Sequence, residues 1–359
     1  MKLGQRVQGR GLARITVSLR EGRLARYADR LVALGVDPGR TLVVSGFWRS
    51  GTTWLQESLA QLLGAKTVFE PFHFEVPAAW ALLSRNQPVV KSAPVLELHM
   101  PYCGDAELSG ELRAVFAGAL RGTLAGRGTR LLRTDPRECL RRRVLVKLVR
   151  GHLCLRAAQR TFGMPIIHVY RDPRGVVASV LQTGWDWLFD HLRLAEQLLE
   201  PRDGRAAAFE PWREAIEEYD AQDRIARLAA YWAITERYLR DSLLSGAGGS
   251  GRCLFVSYEE LCRKREDFLH ETLARLDLPA PTSRRRSVLD RESLSTSESR
   301  RGATLEDRVL GWRKQLTPAQ SSTIAEIARR FGLEDRLFDG PLDQGPAERP
   351  PVAAQGALR

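Results

Sequence analysis

Lysine and cysteine are scarce in this chain, and long apolar runs are missing. Of its 359 residues 55 are basic, and only six of these are lysine. No apolar run approaches the roughly 20 residues of a membrane-spanning helix, so we expect no membrane span. The positively charged N-terminus is not followed by an apolar stretch, so we expect no secretory signal either.

The few cysteines lack the spacing of a redox, disulfide or zinc motif. They are Cys103, Cys139, Cys154, Cys253 and Cys262. An odd, scattered set without C-x-x-C is typical of reduced structural thiols, which predicts a cytoplasmic protein. The histidines show no metal-ligand spacing, so the sequence predicts no metal site.

The net charge of +12 has two explanations. The planar fork of arginine matches the paired oxygens of phosphate and sulfate, which favours an anionic ligand or nucleic acid. Coding composition and a solvated surface explain the excess equally well. No zinc finger, RNP motif or evident helix-turn-helix accompanies the charge, so nucleic acid is not the favoured partner.

Short apolar strands alternate with helical patterns along most of the chain. Strands are predicted at 41–45, 66–72, 143–149, 165–170 and 253–257. The alternation predicts an α/β fold with three layers, in which helices cover both faces of a mostly parallel central sheet. Proline and glycine interrupt 75–140, where no organisation is evident. We divide the chain into a basic helical segment (1–40), a main domain with helical insertions (41–335) and a flexible tail (336–359).

The stretch G-F-W-R-S-G-T-T-W at 46–54 lies between the first predicted strand and a helix. Backbone N–H groups of such a P-loop-like unit converge on one anion. Its side chains add hydroxyl donors and one positive charge: Ser50, Thr52, Thr53 and Arg49. The alternative is an ordinary glycine turn between a strand and a helix.

A P-loop kinase has a lysine after the second glycine of this loop, but here Thr52 follows Gly51. That lysine helps to offset the charge of a triphosphate, together with magnesium. A sulfuryl group is less negative than a phosphoryl group, so its transfer can proceed without a metal. Arg49 and the loop amides can stabilise a leaving phosphate.

The loop resembles the 5′-phosphosulfate-binding loop of PAPS-dependent sulfotransferases, where PAPS is 3′-phosphoadenylyl sulfate. Cytosolic members have lysine at the position of Arg49, whereas carbohydrate and tyrosylprotein members have arginine. The resemblance implies that these residues bind the phosphosulfate: Arg49, Ser50, Gly51, Thr52 and Thr53. It also implies that Trp54 stacks on adenine, although a tryptophan here also fits the core face of an amphipathic helix.

Further stretches extend the resemblance. I-I-H-V-Y-R-D-P-R-G-V-V-A-S-V-L at 166–181 is similar to the segment that binds the 3′-phosphate, which implies this role for Arg171 and Ser179. V-S-Y-E-E-L at 256–261 resembles a segment whose tyrosine, here Tyr258, lies near adenine. A late basic region is similar at 300–317, where the residues implied in 3′-phosphate binding are Arg300, Arg301 and Gly302.

Sulfuryl transfer to a hydroxyl needs a base that accepts the acceptor's proton. Glu70, in V-F-E-P-F-H, matches the glutamate of carbohydrate and tyrosylprotein enzymes. His152, in K-L-V-R-G-H-L, resembles the cytosolic K-x-H-L histidine, with four residues instead of one after Lys147. Glu70 also fits the capping of a helix or turn, and His152 also fits a structural or substrate-binding role. Lys147 fits either a contact with sulfate or acceptor or an exposed position. We favour Glu70, because an arginine-type loop accompanies glutamate-type enzymes.

The resemblance therefore implies a sulfotransferase that uses PAPS and needs no metal. Two alternatives stay open. In a P-loop phosphotransferase that uses ATP, Asp172 would hold magnesium, although Pro173 and the missing lysine count against this. In a basic nucleic-acid-binding module there would be no catalysis. The acceptor, a hydroxyl of a small molecule or glycan, is not specified further, and a homodimer is expected only because the family often dimerises.

Overall fold

In the computed structural model, the described residues are 23–73, 75–86, 98–104, 107–108, 110–124, 129, 136–184, 189–244, 252–278, 293 and 302–339. Their strands are β1 (Leu42–Ser45), β2 (Lys66–Phe69), β3 (Val144–Leu148), β4 (Ile166–Tyr170) and β5 (Cys253–Ser257). Their helices are α1 (Arg23–Ala33), α2 (Thr52–Leu63), α3 (Pro77–Asn86), α4 (Gly110–Leu120), α5 (Leu155–Phe162), α6 (Pro173–Gln182), α7 (Leu194–Leu198), α8 (Ala206–Phe209), α9 (Arg213–Asp220), α10 (Arg224–Leu244), α11 (Tyr258–Arg275), α12 (Leu305–Leu310) and α13 (Pro318–Arg330).

β1 lies at the centre of the sheet, whose strand order is β2-β3-β1-β4-β5. Neighbouring strands are parallel throughout this sheet. After β1 the chain builds one side with β2 and β3 and then crosses to the other side with β4 and β5. The switch point lies beside β1, and open parallel sheets bind ligands at the carboxyl ends of their strands there.

Helices cover both faces of the sheet, because successive side chains of a strand point to opposite faces. Val44 packs with leucines of α2 and α11 on one face. Val43 packs with residues of α4, α5 and α10 on the other face. The predicted three-layer α/β fold with a mostly parallel sheet is confirmed.

The ends of the helices follow local rules. Glycines in the left-handed region flank α2, with φ of 86° at Gly51 and 59° at Gly64. Pro173 occupies the first turn of α6, as predicted, and Asp172 caps that helix by accepting a hydrogen bond from the N–H of Arg174.

The region 75–140 differs from the expectation, because α3 and α4 form within it. Both helices take part in the core on the Val43 face, where Phe116 of α4 is buried against Phe72. Their helical pattern is short and interrupted, so tertiary contacts decide their structure. The boundaries at 40 and 335 stay predictions, and 340–359 lies outside the described residues. No helix among the described residues is long and apolar enough to cross a membrane.

Candidate functional site

The loop between β1 and α2 has a backbone that few residue types tolerate. A Cβ at Gly51 would lie 2.4 Å from the ring of Tyr258, and one at Gly46 would lie 2.4 Å from the carbonyl oxygen of Val169. Both positions therefore need glycine. Arg49 has a φ of 68°, which is uncommon for a residue with a Cβ and points to a functional constraint.

The loop carries several hydrogen-bond donors at the start of α2. The first N–H groups of a helix have no acceptor within the helix and carry the positive end of its dipole. The predicted hydroxyl residues are all buried there: Ser50, Thr52 and Thr53. Among the described residues, Ser50 Oγ has no hydrogen-bond partner. Such an arrangement binds an anion.

Direct hydrogen bonds join the loop to the segment after β4. Arg49 Nε donates to Ser179 Oγ at 3.0 Å. Arg171 Nη1 donates to the carbonyl oxygen of Arg49 at 2.9 Å. Two stretches more than 120 residues apart in sequence thus form one site, and the predicted residues of both stretches meet in it.

Tyr258 and Arg308 complete the surroundings of Arg171. The Arg171 guanidinium lies 4.5 Å from the centroid of the Tyr258 ring, and its Nη2 donates to the Arg308 carbonyl at 2.9 Å. Burial raises the pKa of Tyr258, so its hydroxyl stays neutral. Tyr258, at the start of α11, therefore links β5 to the loop.

A cavity of about 200 Å³ lies beside Trp54. Its lining residues are Trp54, Cys262, Arg265, Ala303, Thr304, Leu305 and Arg308. The Trp54 ring is half-buried and meets the Tyr258 ring edge-on at 6.5 Å between centroids. Arg265 has a φ of 45° inside α11, so the helix is kinked where it lines the cavity. The lining thus combines one aromatic ring with two arginines.

The late basic stretch is only partly described. Gly302 is exposed with a φ of 75°, whereas Arg300 and Arg301 lie outside the described residues. Arg308 and Arg265 were not predicted as site residues from the sequence. Arg308 belongs to the stretch that resembles the family, so its position was indicated, but only the fold shows that it lines the cavity.

Glu70 follows β2 and lies in a buried ion cluster. Its Oε1 is 2.9 Å from Lys147 Nζ, and its Oε2 accepts from Arg150 Nη1 at 3.2 Å. The N–H of Val149 donates to Oε2 at 3.3 Å. Glu70 has a φ of 47°, another left-handed non-glycine residue at the edge where β1 ends. The carboxylate caps no helix; it binds the segment after β3.

Lys147 is buried, so the alternative of an exposed lysine is wrong. Its Nζ lies 4.0 Å from the centroid of the Phe69 ring. Burial lowers the pKa of Lys147, while Glu70 raises it and the charges of Arg150 and Arg49 lower it further. The N–H of Gly46 donates to the carbonyl oxygen of Leu148, the residue after Lys147, at 3.3 Å, so the ion cluster lies beside the loop.

His73 lies near the same cluster and was not singled out by the sequence. Burial, with the charge of Arg150 as the next cause, lowers its pKa to about 4, so the imidazole is neutral at pH 7. The N–H of Glu75 donates to His73 Nδ1 at 3.2 Å. Because Nδ1 accepts, the ring proton is on Nε2.

His152, the second candidate base, does not join this cluster. Its side chain has no exposed surface, and its Nε2 is 3.3 Å from Glu236 Oε1. His168 Nε2 lies 3.0 Å from Glu236 Oε2. Burial lowers the pKa of His168. The geometry favours a structural role for His152, because its side chain is fully buried and its Nε2 is bound to Glu236.

Glu236 of α10 holds the two imidazoles together. Burial alone would raise the pKa of Glu236, but the charges and hydrogen bonds of His168 and His152 outweigh it and hold the pKa well below its usual range. The ligand atoms of the three residues lie within 4.8 Å of one another, a spacing that could also hold a metal ion. The hydrogen bonds that the Glu236 carboxylate accepts from the Nε2 atoms of His152 and His168 are sufficient to explain why the three side chains lie together.

Asp172 is engaged by the protein. Its carboxylate is 2.6 Å from Arg174 Nη2 and accepts from the N–H of Phe338 at 2.9 Å. The N–H of Asp172 in turn donates to Glu259 Oε1 at 3.0 Å. Burial, followed by the charge of Asp172, raises the pKa of Glu259 to about 7. These contacts count against Asp172 as a magnesium ligand.

Comparison with known proteins identifies the family. Residues 40–334 match the family model described as sulfotransferase domain. Similar solved structures are the sulfotransferase domain from the curacin biosynthetic pathway (15% identity, 80% of this chain and 96% of that chain, TM-score 0.41) and the sulfotransferase from Alicyclobacillus acidocaldarius (14%, 81% and 95%, 0.36). Another is retinol dehydratase in a complex with retinol and PAP (12%, 85% and 84%, 0.36).

A search of curated protein sequences found no match. Because the solved structures are distant, the assignment rests on the family match, which spans most of the chain. The protein belongs to the sulfotransferase domain family, and its reaction is sulfuryl transfer.

Proposed function

We propose that this sulfotransferase uses PAPS as its sulfuryl donor and a hydroxyl group as its acceptor. The observation that carries the proposal is the direct connection between the loop and the second segment, from Arg171 to the Arg49 carbonyl and from Arg49 to Ser179. One nucleotide with anionic groups at both ends fits such a double site.

The loop is suited to the sulfated end of the nucleotide. Its buried hydroxyls and Arg49 lie next to the first amides of α2, where an anion is favoured. Arg171 and Ser179 are suited to the 3′-phosphate, on the other side of Arg49. The cavity beside Trp54 supplies an aromatic wall for the base, and Arg308 and Arg265 supply positive charge there.

Glu70 is the favoured base, because it lies at the carboxyl edge of the sheet and in the cluster that includes Lys147. Its two oxygens differ. Oε2 accepts hydrogen bonds from Arg150 and Val149, whereas Oε1 contacts Lys147. A carboxylate oxygen has two acceptor sites, so Oε1 keeps capacity for the proton of an acceptor hydroxyl.

In the proposed reaction, the acceptor oxygen forms a bond to sulfur while the bond from sulfur to the bridging phosphate oxygen breaks. The acceptor proton goes to Glu70, and the electron pair of the broken bond stays on the departing nucleotide. Arg49, the loop amides and Lys147 stabilise this charge. Arg150 holds the carboxylate in position and does not touch the reacting atoms.

Nothing in this scheme assigns a role to a metal. A phosphotransferase is less well supported, since Asp172 is bound by Arg174 and Thr52 takes the place of the loop lysine. The cytoplasmic location, the homodimer and the class of hydroxyl acceptor, whether small molecule or glycan, stay predictions.

The experiment is a binding titration with 3′,5′-adenosine bisphosphate and, separately, with Mg-ATP. We expect binding of the bisphosphate, which Arg49→Ala and Arg171→Ala each weaken. Labelled PAPS incubated with hydroxylated acceptors then tests turnover. Binding of Mg-ATP without binding of the bisphosphate would overturn the proposal.

A further inference from the structure

Large apolar side chains are exposed on α1 and beside it. Tyr27, Leu31 and Leu34 are 64%, 54% and 88% exposed, and their spacing places them on one face of the helix and its final turn. Leu140, which is 61% exposed, ends the 3-10 helix Pro136–Leu140, which packs against α1. We call these four residues the N-terminal patch.

The opposite face of α1 is anchored to the domain, so the orientation of the patch is fixed. Asp29 forms an ion pair with Lys66 at 3.1 Å, and neither side chain has exposed surface. Ala33 and Val36 are buried as well. Because a buried ion pair is stable only with well-matched geometry, it holds the helix in one rotation. The apolar face is therefore turned outward by the structure itself.

Positive charge surrounds the N-terminal patch. Exposed arginines on α1 and around the 3-10 helix are Arg30, Arg137, Arg142 and Arg143. A Cβ at Gly35 would lie 3.8 Å from the guanidinium carbon of Arg142, so this arginine lies next to the end of α1. Residues 1–40 contain nine basic and three acidic residues, a net charge of +6, which is half of the +12 of the whole chain.

We propose that the N-terminal patch docks on an anionic lipid surface. Apolar side chains in the middle of arginines match a bilayer interface, where leucine and tyrosine enter the headgroup region and guanidinium groups pair with lipid phosphates. A second copy of the chain fits less well, because two surfaces with this charge repel each other.

Docking through this patch leaves the candidate site open. Asp29 binds Lys66, the first residue of β2, whereas Glu70 follows the last residue of that strand. The patch thus lies toward the amino ends of the strands and the site at their carboxyl ends. The proposal is independent of the donor and acceptor assigned above.

The test is cosedimentation of the full chain with vesicles of phosphatidylcholine, with and without phosphatidylglycerol. We expect binding to the anionic vesicles that weakens as salt is raised. Leu31→Glu and Leu34→Glu together should lower the affinity about tenfold or more, since each replaces an inserted apolar group with a repelled charge. Arg30→Glu with Arg142→Glu should lower it as well.

Ala207→Glu together with Ala319→Glu is the matched control, because it adds the same two negative charges at exposed positions of two other helices. It should bind vesicles like the wild type. All variants should keep the thermal melting point and the affinity for the bisphosphate, since the replaced side chains are on the surface. Wild-type protein that stays in solution with both kinds of vesicle would overturn the proposal. So would a dimer that dissociates on Leu34→Glu substitution, which would assign the patch to a second copy.

Discussion

Two buried glutamates, each between two basic side chains, have different positions in this protein. Glu70 lies between Lys147 and Arg150 at the carboxyl edge of the sheet, beside the loop. Glu236 lies between two histidines under the sheet, where α10 covers it. Their exposed fractions are similarly small, 3% and 1%. Burial therefore does not distinguish the two glutamates, whereas their partners do: Glu70 binds an ammonium and a guanidinium group beside the loop, and Glu236 binds two imidazoles.

The largest effect, on kcat, is expected from Glu70→Gln. Together with His152→Gln, this variant tests the difference between the Glu70 and Glu236 clusters. Loss of the base should lower kcat about 100- to 10,000-fold, because the amide cannot accept the proton. Steady-state kinetics with PAPS measures this, and a bisphosphate titration should show unchanged nucleotide binding. His152→Gln should leave kcat of the folded protein near the wild-type value. The reverse pattern would move the base to the buried cluster.

Arg49→Ala and Arg171→Ala should each lower kcat/KM about 30- to 1000-fold, because each removes a charged contact to the nucleotide. The measurement is kcat/KM for PAPS. Arg156→Ala, on α5, is a control on a neighbouring arginine whose guanidinium binds the Ser242 carbonyl. Near wild-type rates for both site variants would show that the nucleotide binds elsewhere.

Glu236→Gln should act on stability instead of turnover. The carboxylate accepts from both imidazoles, whereas an amide must direct its NH₂ at one of these donors, so the free energy of unfolding should fall by about 3 kcal/mol. Urea unfolding measures it. Because the pKa of Glu236 is lowered in the fold, the advantage of the wild type is present above pH 4.5 and declines as the pH falls below that value. Lost activity in a stably folded variant would contradict this assignment.

The last prediction concerns Glu259→Gln, whose effect on stability depends on pH. The pKa of Glu259 is raised from 4.5 to about 7, so its stabilising contribution is present below pH 4.5, declines through this range and is lost above pH 7. The glutamine, which resembles the protonated acid, should therefore stabilise the protein by up to roughly 3 kcal/mol well above pH 7 and change little near pH 4.5. Melting curves at both pH values test this; an equal shift at both would contradict it.

Residues that form a local pattern could be predicted from the sequence, whereas residues that the fold brings together from distant positions could not. The loop at 46–54 was found because glycines, hydroxyls and Arg49 are consecutive and follow an apolar strand. Glu70 was predicted because it ends the next predicted strand and matches the glutamate of the carbohydrate and tyrosylprotein enzymes. Arg150 and Arg308 were missed, since only the sheet brings them to Glu70 and Arg171, and no local pattern marks one arginine among so many. The burial of His152 could not be predicted, because it depends on α10.

The hydrogen bond from Arg171 to the Arg49 carbonyl has a consequence for divergence within the family. The same guanidinium that would meet one end of the nucleotide also fixes the backbone that would meet the other, so the two halves cannot be tuned separately. A family member that evolved to use a different donor would therefore need substitutions in both stretches, 46–54 and 166–181, at the same time.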